Sequence, residues 1–374
     1  MLRNLKGLRL VAVPSQHASV NLSKMAFVLI SRFNMMTLTT TIDPMRIANY
    51  LSADPLYEWT FLTPGGGELT ASNGLTVNCE PLNASREVFD TVFVLGSWGC
   101  ERYVQPELFN WLRLLERKGA KICGMEIGAY VLARAGLMSG RQATTHWSHM
   151  AGFAEQFPNS HLREQLFTVD GKLMTCAGGT AGIDLMLHLI SQKHGEHLAH
   201  EVADQILHHP MRPADFAQRH SLGSTTDRLH PEIEATIKLM EANISDPLSV
   251  PEIAKSIGLS QRKLERMFKK HMGCSVVQLG QLLRLQYARV LLTTTRMSIR
   301  DVSVASGFNS MSYFSQAFTK CFGRKPSEYR HAWPEREANP SWLGTVFSFT
   351  RPIEPPQSPS EWQQSHGRDQ PPVR

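Results

Sequence analysis

A repeated helix-capping pattern near the C-terminus constrains this chain more than any other feature of its sequence. In each copy a serine precedes a helix with an acidic residue three positions later, a glycine makes a turn, and a second serine begins a second helix. The two copies use Ser249, Glu252, Gly258 and Ser260, and then Ser298, Asp301, Gly307 and Ser310. Helix, glycine turn and second helix is the layout of a helix-turn-helix, so the sequence predicts two such units.

The spacing of the two copies supports this prediction. They are 49 residues apart up to the glycine and 50 residues apart after it, which puts a single inserted residue at the turn, where insertions are tolerated. Between the copies, residues 276–292 form an apolar helical run long enough to hold both units rigidly. Two units held in this way suit a protein that reads two successive major-groove faces, about one helical turn (~34 Å) apart.

The charge of the chain is concentrated on the same segment. Residues 229–332 contain 15 lysines and arginines against 8 aspartates and glutamates, whereas the rest of the chain contains 24 against 25. The whole excess of +6 therefore lies on the repeat-bearing segment. Neutralisation of DNA phosphates requires such an asymmetry, so the two observations together favour DNA binding over an ordinary solvated basic face.

We expect the second helix of each unit to contact DNA through the face that is not apolar. Base edges are expected to be read by Gln261, Arg262, Glu265 and Arg266 in the first unit, and by Met311, Ser312, Ser315 and Gln316 in the second. Phosphates are expected to be contacted mainly by Lys263, Lys269, Lys270 and Arg324.

The segment resembles the DNA-binding domain of the AraC/XylS-type transcription regulators. The matching residues are Asp301, Val302, Gly307, Phe308, Tyr313, Phe314, Phe318, Gly323 and Pro326. Ser303 stands where the family usually has alanine, and Thr319 where lysine is common. The resemblance covers about residues 229–331 and implies an all-α double helix-turn-helix domain that binds promoter DNA. If the protein is an activator, as the resemblance favours, RNA polymerase is a second partner.

The N-terminal half alternates short apolar runs with amphipathic segments. The expected strands are MAFVLI, WTFLT, DTVFVLG, KICGM, LFTVDG and KLMTCAG, and the expected helices are TLTTTIDPMRIANYL, ELFNWLRLLERKG, GAYVLARAG, HMAGFAEQF and GIDLMLHLISQKHG. This order predicts an α/β sandwich with a mostly parallel sheet. Ligands of such folds bind at the carboxyl ends of the strands, where three glycine-containing turns lie at residues 96–99, 124–128 and 176–180.

This half resembles the DJ-1/PfpI domain, a flavodoxin-like α/β sandwich of the class I glutamine amidotransferase type, in the version found in GlxA-like regulators. The matching residues are 43–46, 48–49, 72–74, 133–137, 143–147, Gly182 and 184–188. Enzymes of this superfamily place a nucleophilic cysteine on a sharp strand-to-helix turn, where this chain has Glu126, and some place a histidine where it has Ile127. The sequence therefore predicts a ligand-sensing and dimerising domain that is not an enzyme.

The turn residues suggest a ligand class. We expect Asp43, Trp98, Glu126, His146, Trp147 and Thr180 to line the ligand site. Carboxylates with indole faces suit a small cationic or zwitterionic amine, through Coulomb attraction and cation–π contact. The alternative is that Glu126 bonds backbone amides of its own turn, that Asp43 caps a helix at its head, and that both tryptophans are core residues.

The remaining features set the expected boundaries. We expect a flexible extension over residues 1–24, the α/β domain over 25–205, a linker over 206–228, the DNA-binding domain over 229–332 and a disordered tail over 333–374. Six cysteines without a CxxC pair suit a reducing cytoplasm, no run is long enough for a membrane span, and we expect no cofactor. His194, His197 and His200 have a spacing that can bind metal, but no other ligands complete a set, so no metal is expected.

Two other functions remain open at this stage. One is an amidotransferase-like or hydrolase-like enzyme with a DNA-binding tail, which Glu126 in the nucleophile position disfavours. The other is an architectural DNA-binding protein whose α/β half only forms a homodimer. Such a protein would show no change in promoter output with any ligand.

Overall fold

The computed structural model describes residues 22–83, 88–218 and 230–332. The described chain divides into two compact units. The first contains residues 22–150 and 157–218 apart from the gap at 84–87, and the second contains residues 230–332 together with residues 151–156. The predicted tail and nearly all of the predicted N-terminal extension lie outside the described residues. In the described part of the chain, every helix is too short or too polar to cross a membrane.

An eight-stranded sheet forms the centre of the first unit. Its strands are β1 (Ser23–Leu29), β2 (Tyr57–Thr63), β3 (Gly67–Thr70), β4 (Thr76–Pro81), β5 (Thr91–Gly96), β6 (Lys121–Glu126), β9 (Phe167–Asp170) and β10 (Leu173–Cys176), and a separate pair is formed by β7 (Gln142–Ala143) and β8 (His161–Leu162). The order is β3-β4-β2-β1-β5-β6-β10-β9. Pairing is antiparallel only at the two edges and parallel in between. The mostly parallel sheet is confirmed, and the carboxyl ends of its central strands meet at one edge.

The helices of the N-terminal half follow the predicted order, with one addition. They are α1 (Met35–Leu51), α2 (Pro106–Arg117), α3 (Gly128–Arg134), α4 (Met150–Gln156), α5 (Ala181–His194) and the unpredicted α6 (Glu196–Gln205). The core includes the stacked rings of Phe27 and Phe93, whose centroids are 5.0 Å apart on neighbouring strands. Asn34 caps α1 by accepting from the backbone nitrogen of Met36, so this helix begins earlier than the sequence suggested.

The second unit is all helical. Its helices are α7 (Pro231–Ala242), α8 (Val250–Ser256), α9 (Gln261–His271), α10 (Val276–Thr294), α11 (Ile299–Ala305), α12 (Met311–Phe322) and α13 (Pro326–Ala332). Both capping boxes form, because the carboxylates of Glu252 and Asp301 bond their capping serines. Gly258 and Gly307 turn with positive φ. The predicted double helix-turn-helix is therefore confirmed.

The central helix α10 contributes to two separate hydrophobic cores. One core joins it to α7, α8 and α9 through residues up to Leu283, and the other begins at Leu285 and joins it to α11, α12 and α13. A single helix whose successive turns belong to both cores fixes the two helix-turn-helix units relative to each other, as its apolar run predicted.

Candidate ligand site and DNA-binding face

Glu126 lies on a sharp turn between β6 and α3, with a left-handed backbone φ of +57°. Glycines on both sides permit the turn: a Cβ on Gly128 would lie 2.1 Å from the carbonyl oxygen of Val94, and one on Gly124 would lie 2.7 Å from the nitrogen of Ala129. Helix α3 therefore lies directly against β5 and β6. Such a backbone conformation costs about 1–3 kcal/mol in a residue other than glycine, and this strain is typical of functional positions.

The carboxylate of Glu126 is buried and bonds hydroxyl groups. Oε2 accepts a hydrogen bond from Thr37 Oγ1 on α1, and Oε1 accepts one from Ser97 Oγ after β5, both at 3.2 Å. Burial raises the pKa of Glu126 to about 7, against the lowering effect of these bonds and of one from Asn34. The carboxyl group of Glu126 therefore has a pKa close to neutral pH, where its protonated and ionised forms are similar in population. The structure does not show the alternative, in which the Glu126 side chain bonds backbone amides of its own turn.

His146 and Trp147 are brought to the same turn through the backbone of Glu126. The carbonyl oxygen of Glu126 accepts from Thr145 Oγ1 at 2.7 Å and from the backbone nitrogen of His146 at 3.4 Å. The rings of His146 and Trp147 lie 5.5 Å apart. Burial lowers the pKa of His146 to about 4, so its imidazole is neutral near pH 7 and adds no positive charge beside Glu126.

The other two predicted glycine turns also reach Glu126. A Cβ on Gly178 would lie 2.7 Å from the Cβ of Glu126, so this glycine is required by close packing. The backbone nitrogen of Gly179 donates to Thr37 Oγ1 at 2.9 Å. Trp98, which follows Ser97, is 39% exposed, so it is not a core residue. The prediction that the three turns meet at the carboxyl ends of the strands is confirmed.

The position of Asp43 differs from the predicted one. It lies in the middle of α1 rather than at the head of a helix, and its half-exposed carboxylate pairs with Arg46 at 2.8 Å. The contact from α1 to Glu126 is made instead by Thr37. Sequence reasoning missed Thr37 because threonines in an amphipathic run have no distinctive spacing, and it missed Asn34 because the helix was expected to begin later.

The cysteines and histidines of the first unit take part in packing. Burial raises the pKa of the Cys176 thiol to about 12 and that of Cys100 above its ordinary range, so both thiols beside the turn are protonated at neutral pH. His194 meets Tyr57 edge to face. Within the described ranges, no group of three histidine, cysteine or acidic side chains is arranged to hold a metal ion.

The recognition helices α9 and α12 present different chemistry to solvent. The predicted contact residues that are exposed are Gln261, Arg262, Lys263, Arg266, Lys269, Lys270, Met311, Ser312 and Gln316. Ser315 and Arg324 are half-buried. Helix α9 thus offers five exposed basic side chains, whereas the exposed face of α12 begins with Met311 and Tyr313, which are 42% and 52% exposed.

Two residues of this face depart from the sequence-based prediction. Glu265 is half-buried and its Oε2 lies 3.5 Å from the backbone nitrogen of Val276 at the start of α10, so it favours the N-terminus of that helix rather than a base edge. Tyr313 was missed because it matches the apolar pattern of the resemblance, yet its ring is exposed next to Met311 and Ser312.

The second unit contains two rigidly joined helix-turn-helix motifs with a basic recognition helix. The first unit is an α/β fold with a buried carboxylate at its tight turn. Together these features define a transcription regulator that binds DNA. Comparison with known proteins agrees. Residues 253–332 match the helix-turn-helix domain family, and residues 23–192 match the DJ-1/PfpI family.

Two curated relatives match this chain over most of their own length. The chain is 38% identical to the HTH-type transcriptional regulator CdhR of Pseudomonas aeruginosa over 82% of this chain and 91% of that one. It is 35% identical to the HTH-type transcriptional regulator GlxA of Rhizobium meliloti over 83% of this chain and 97% of that one. The crystal structure of an AraC family transcriptional regulator from Pseudomonas putida is 28% identical, with a TM-score of 0.45, over 50% of this chain and 99% of that one. The chain belongs to the AraC-type transcription regulators of the GlxA-like group.

Proposed function

We propose that this regulator senses a small cationic or zwitterionic amine at Glu126 and activates catabolic genes in response. The observation that supports the ligand class is a buried carboxylate, with its pKa raised to about 7, in the position where related enzymes have a nucleophile. A cation beside this carboxylate would favour its ionised form and recover part of the free energy lost through burial. No protein cation is hydrogen-bonded to it among the described residues.

Trp98 and Trp147 complete the proposed chemistry. Indole faces attract alkylated ammonium groups by cation–π contact, worth about 0.5–2 kcal/mol depending on desolvation. The neutral imidazole of His146 provides a hydrogen-bonding group without repelling the ligand. We propose a betaine, a carnitine-like compound or a basic amino acid as ligand. Glu126 stands where related enzymes have the nucleophilic cysteine, so we propose no catalytic role.

Calorimetric titration tests the ligand class. Wild type, Glu126→Gln and the control Glu68→Gln, which changes an exposed carboxylate on β3, would be titrated with glycine betaine, carnitine and arginine. Each amine would be paired with an analogue in which carbon replaces the charged nitrogen. We expect one of the amines to bind wild type and Glu68→Gln but to bind Glu126→Gln at least about tenfold more weakly. The proposal would be refuted if the neutral analogues bound as tightly as the amines, or if Glu126→Gln bound the amines as tightly as wild type.

For DNA, we propose that α9 and α12 enter two successive major grooves. Arg266→Ala should weaken specific binding by about 1–3 kcal/mol and relax base preference at one position. Lys270→Ala should weaken binding to all sequences similarly and lower the dependence of affinity on salt. Gel-shift titrations against DNA selected from random sequence by the wild-type protein measure both effects. Unchanged affinity and base preference in Arg266→Ala would contradict this assignment.

Activation and assembly complete the proposal. We propose that the first unit forms a homodimer and that the DNA-bound protein contacts RNA polymerase, as the AraC-type resemblance implies. Sedimentation of the full chain and transcription in vitro, with and without the amine that binds, test these two points. An architectural protein would instead give the same transcription under both conditions.

A further inference from the structure

A twelve-residue segment at the end of the first unit, residues 207–218, is tied down by side-chain hydrogen bonds. We call it the anchoring segment. Its first anchor is Asp184 on α5, whose side chain is fully buried. The carboxylate accepts from His208 Nε2 at 2.8 Å, and from the backbone nitrogen, Nε and Nη2 of Arg212 at 2.9, 3.1 and 2.6 Å. Four hydrogen bonds to one buried carboxylate hold this end of the segment firmly.

The middle and end of the anchoring segment have their own attachments. The carbonyl oxygen of Ala214 accepts from the backbone nitrogen of Leu166 at 3.0 Å. Gln218 Nε2 donates to Thr144 Oγ1, to the carbonyl oxygen of Thr145 and to that of Gln165, at 3.0, 2.9 and 2.8 Å. Gln218 thereby ties the end of the anchoring segment to the 144–145 and 165 positions of the first unit.

Both ends of the segment connect to the turn that contains Glu126. At one end, Arg212 Nη2 donates to Thr180 Oγ1 at 3.0 Å, and the preceding Gly179 donates to Thr37 Oγ1, which in turn donates to the carboxylate of Glu126. At the other end, Gln218 bonds the carbonyl oxygen of Thr145, whose hydroxyl donates to the carbonyl oxygen of Glu126.

The residues between the anchoring segment and Glu126 are tightly packed. Gly178 lies so close to Glu126 that a Cβ would meet the glutamate Cβ at 2.7 Å and its Cγ at 3.0 Å. A displacement of the Glu126 side chain toward a ligand therefore changes the contact with the 178–180 turn. Closely packed contacts of this kind pass a displacement on to their neighbours rather than absorb it.

We propose that Arg212 and Gln218 are positioning residues through which the state of the Glu126 site reaches the DNA-binding domain. This coupling rests on the proposed sensing function, because it would carry the effect of ligand binding to the DNA-binding domain. Thr37 is the relay at the site, since its hydroxyl both donates to Glu126 and accepts from Gly179. The anchoring segment is held tightly or loosely according to the hydrogen bonds at Glu126, and this difference changes the affinity of the protein for DNA.

Hydrogen exchange in the full-length protein, without any ligand, tests the relay. Thr37→Val removes the relay hydroxyl, whereas Thr39→Val is a matched control whose hydroxyl bonds only carbonyls of its own helix. We expect amides of the anchoring segment, including that of Arg212, to exchange at least about tenfold faster in Thr37→Val. Thr37→Ser, which keeps the hydroxyl, should behave as wild type. Equal exchange in Thr37→Val and Thr39→Val would overturn the proposal.

Double variants test whether the path continues to DNA. We expect Thr37→Val to change affinity for the selected DNA at least about threefold, and to change it no further in a Gln218→Ala or Arg212→Lys background, because residues on one path are not additive. Arg163→Lys, at an exposed position, is the control background. Additive effects, or no effect of Thr37→Val on DNA affinity, would refute the coupling. Because none of these measurements uses a ligand, a failure to bind amines would refute the sensing function without deciding this result.

Discussion

Replacing Gly307 by alanine should disturb the second helix-turn-helix unit more than the same replacement at Gly258 disturbs the first. Both glycines make the turn between the two helices of their unit, with φ of +74° and +71°. They differ in their surroundings. A Cβ on Gly307 would lie 2.4 Å from the carbonyl oxygen of Ile244 and 3.0 Å from Pro247 Cδ, whereas a Cβ on Gly258 would have nothing within 4 Å.

The expected magnitudes follow from these two environments. The left-handed backbone alone costs alanine about 1–2 kcal/mol, so Gly258→Ala should lower the free energy of unfolding by about that amount. Gly307→Ala adds the displacement of a backbone carbonyl, and overpacking of this kind costs about 1–3 kcal/mol. The total for Gly307→Ala is therefore about 2–5 kcal/mol. The difference between the two variants measures the contact between the second turn and the 243–249 loop, which precedes α8 of the first helix-turn-helix.

The same contact should affect DNA binding, because it sets the spacing of the recognition helices. Arg284 on α10 reinforces it by donating from Nη1 to the carbonyl oxygen of Gly307 at 2.9 Å and by lying over the ring of Phe308. Urea denaturation followed by circular dichroism, with hydrogen exchange of α11 and α12 amides, gives the stability change, and gel shifts give the affinity. Equal losses in Gly258→Ala and Gly307→Ala, in stability and in affinity, would refute the reasoning.

Three further outcomes are expected. Because burial raises the pKa of Glu126 from 4.5 to about 7, the folded chain binds this proton more tightly than the unfolded chain. The free energy of unfolding should therefore fall by up to about 3 kcal/mol as pH rises through this range. Thermal melting of Glu126→Gln should lack that component. Ser298→Ala should cost about 1 kcal/mol in urea denaturation, because its hydroxyl caps α11, whereas Ser312→Ala should cost little. Tyr313→Ala should weaken DNA binding in gel shifts with a smaller effect on melting, because half of the ring is exposed.

Local sequence was enough to predict the DNA-binding domain. The capping boxes at Ser249 and Ser298, the glycine turns and the repeated apolar spacing each depend on residues within one or two helical turns of one another. Interactions over three or four positions are specified by the chain itself. For the same reason the strands β1, β2, β5, β6, β9 and β10 and most helices of the α/β half were predicted, and Glu126 was placed correctly on its turn, whereas the shorter strands β3, β4, β7 and β8 were missed.

Contacts between distant positions were decided only by the tertiary structure. Thr37 and Glu126 are 89 residues apart, and their contact depends on the order of strands in the sheet, which no local pattern specifies. Residues 206–218 illustrate the same limit: their prolines and polar groups predicted a linker, yet residues 208–218 are held to the first unit by Asp184 and by the bonds of Gln218. A buried carboxylate requires hydrogen-bonding partners, and only the fold shows which distant segment provides them.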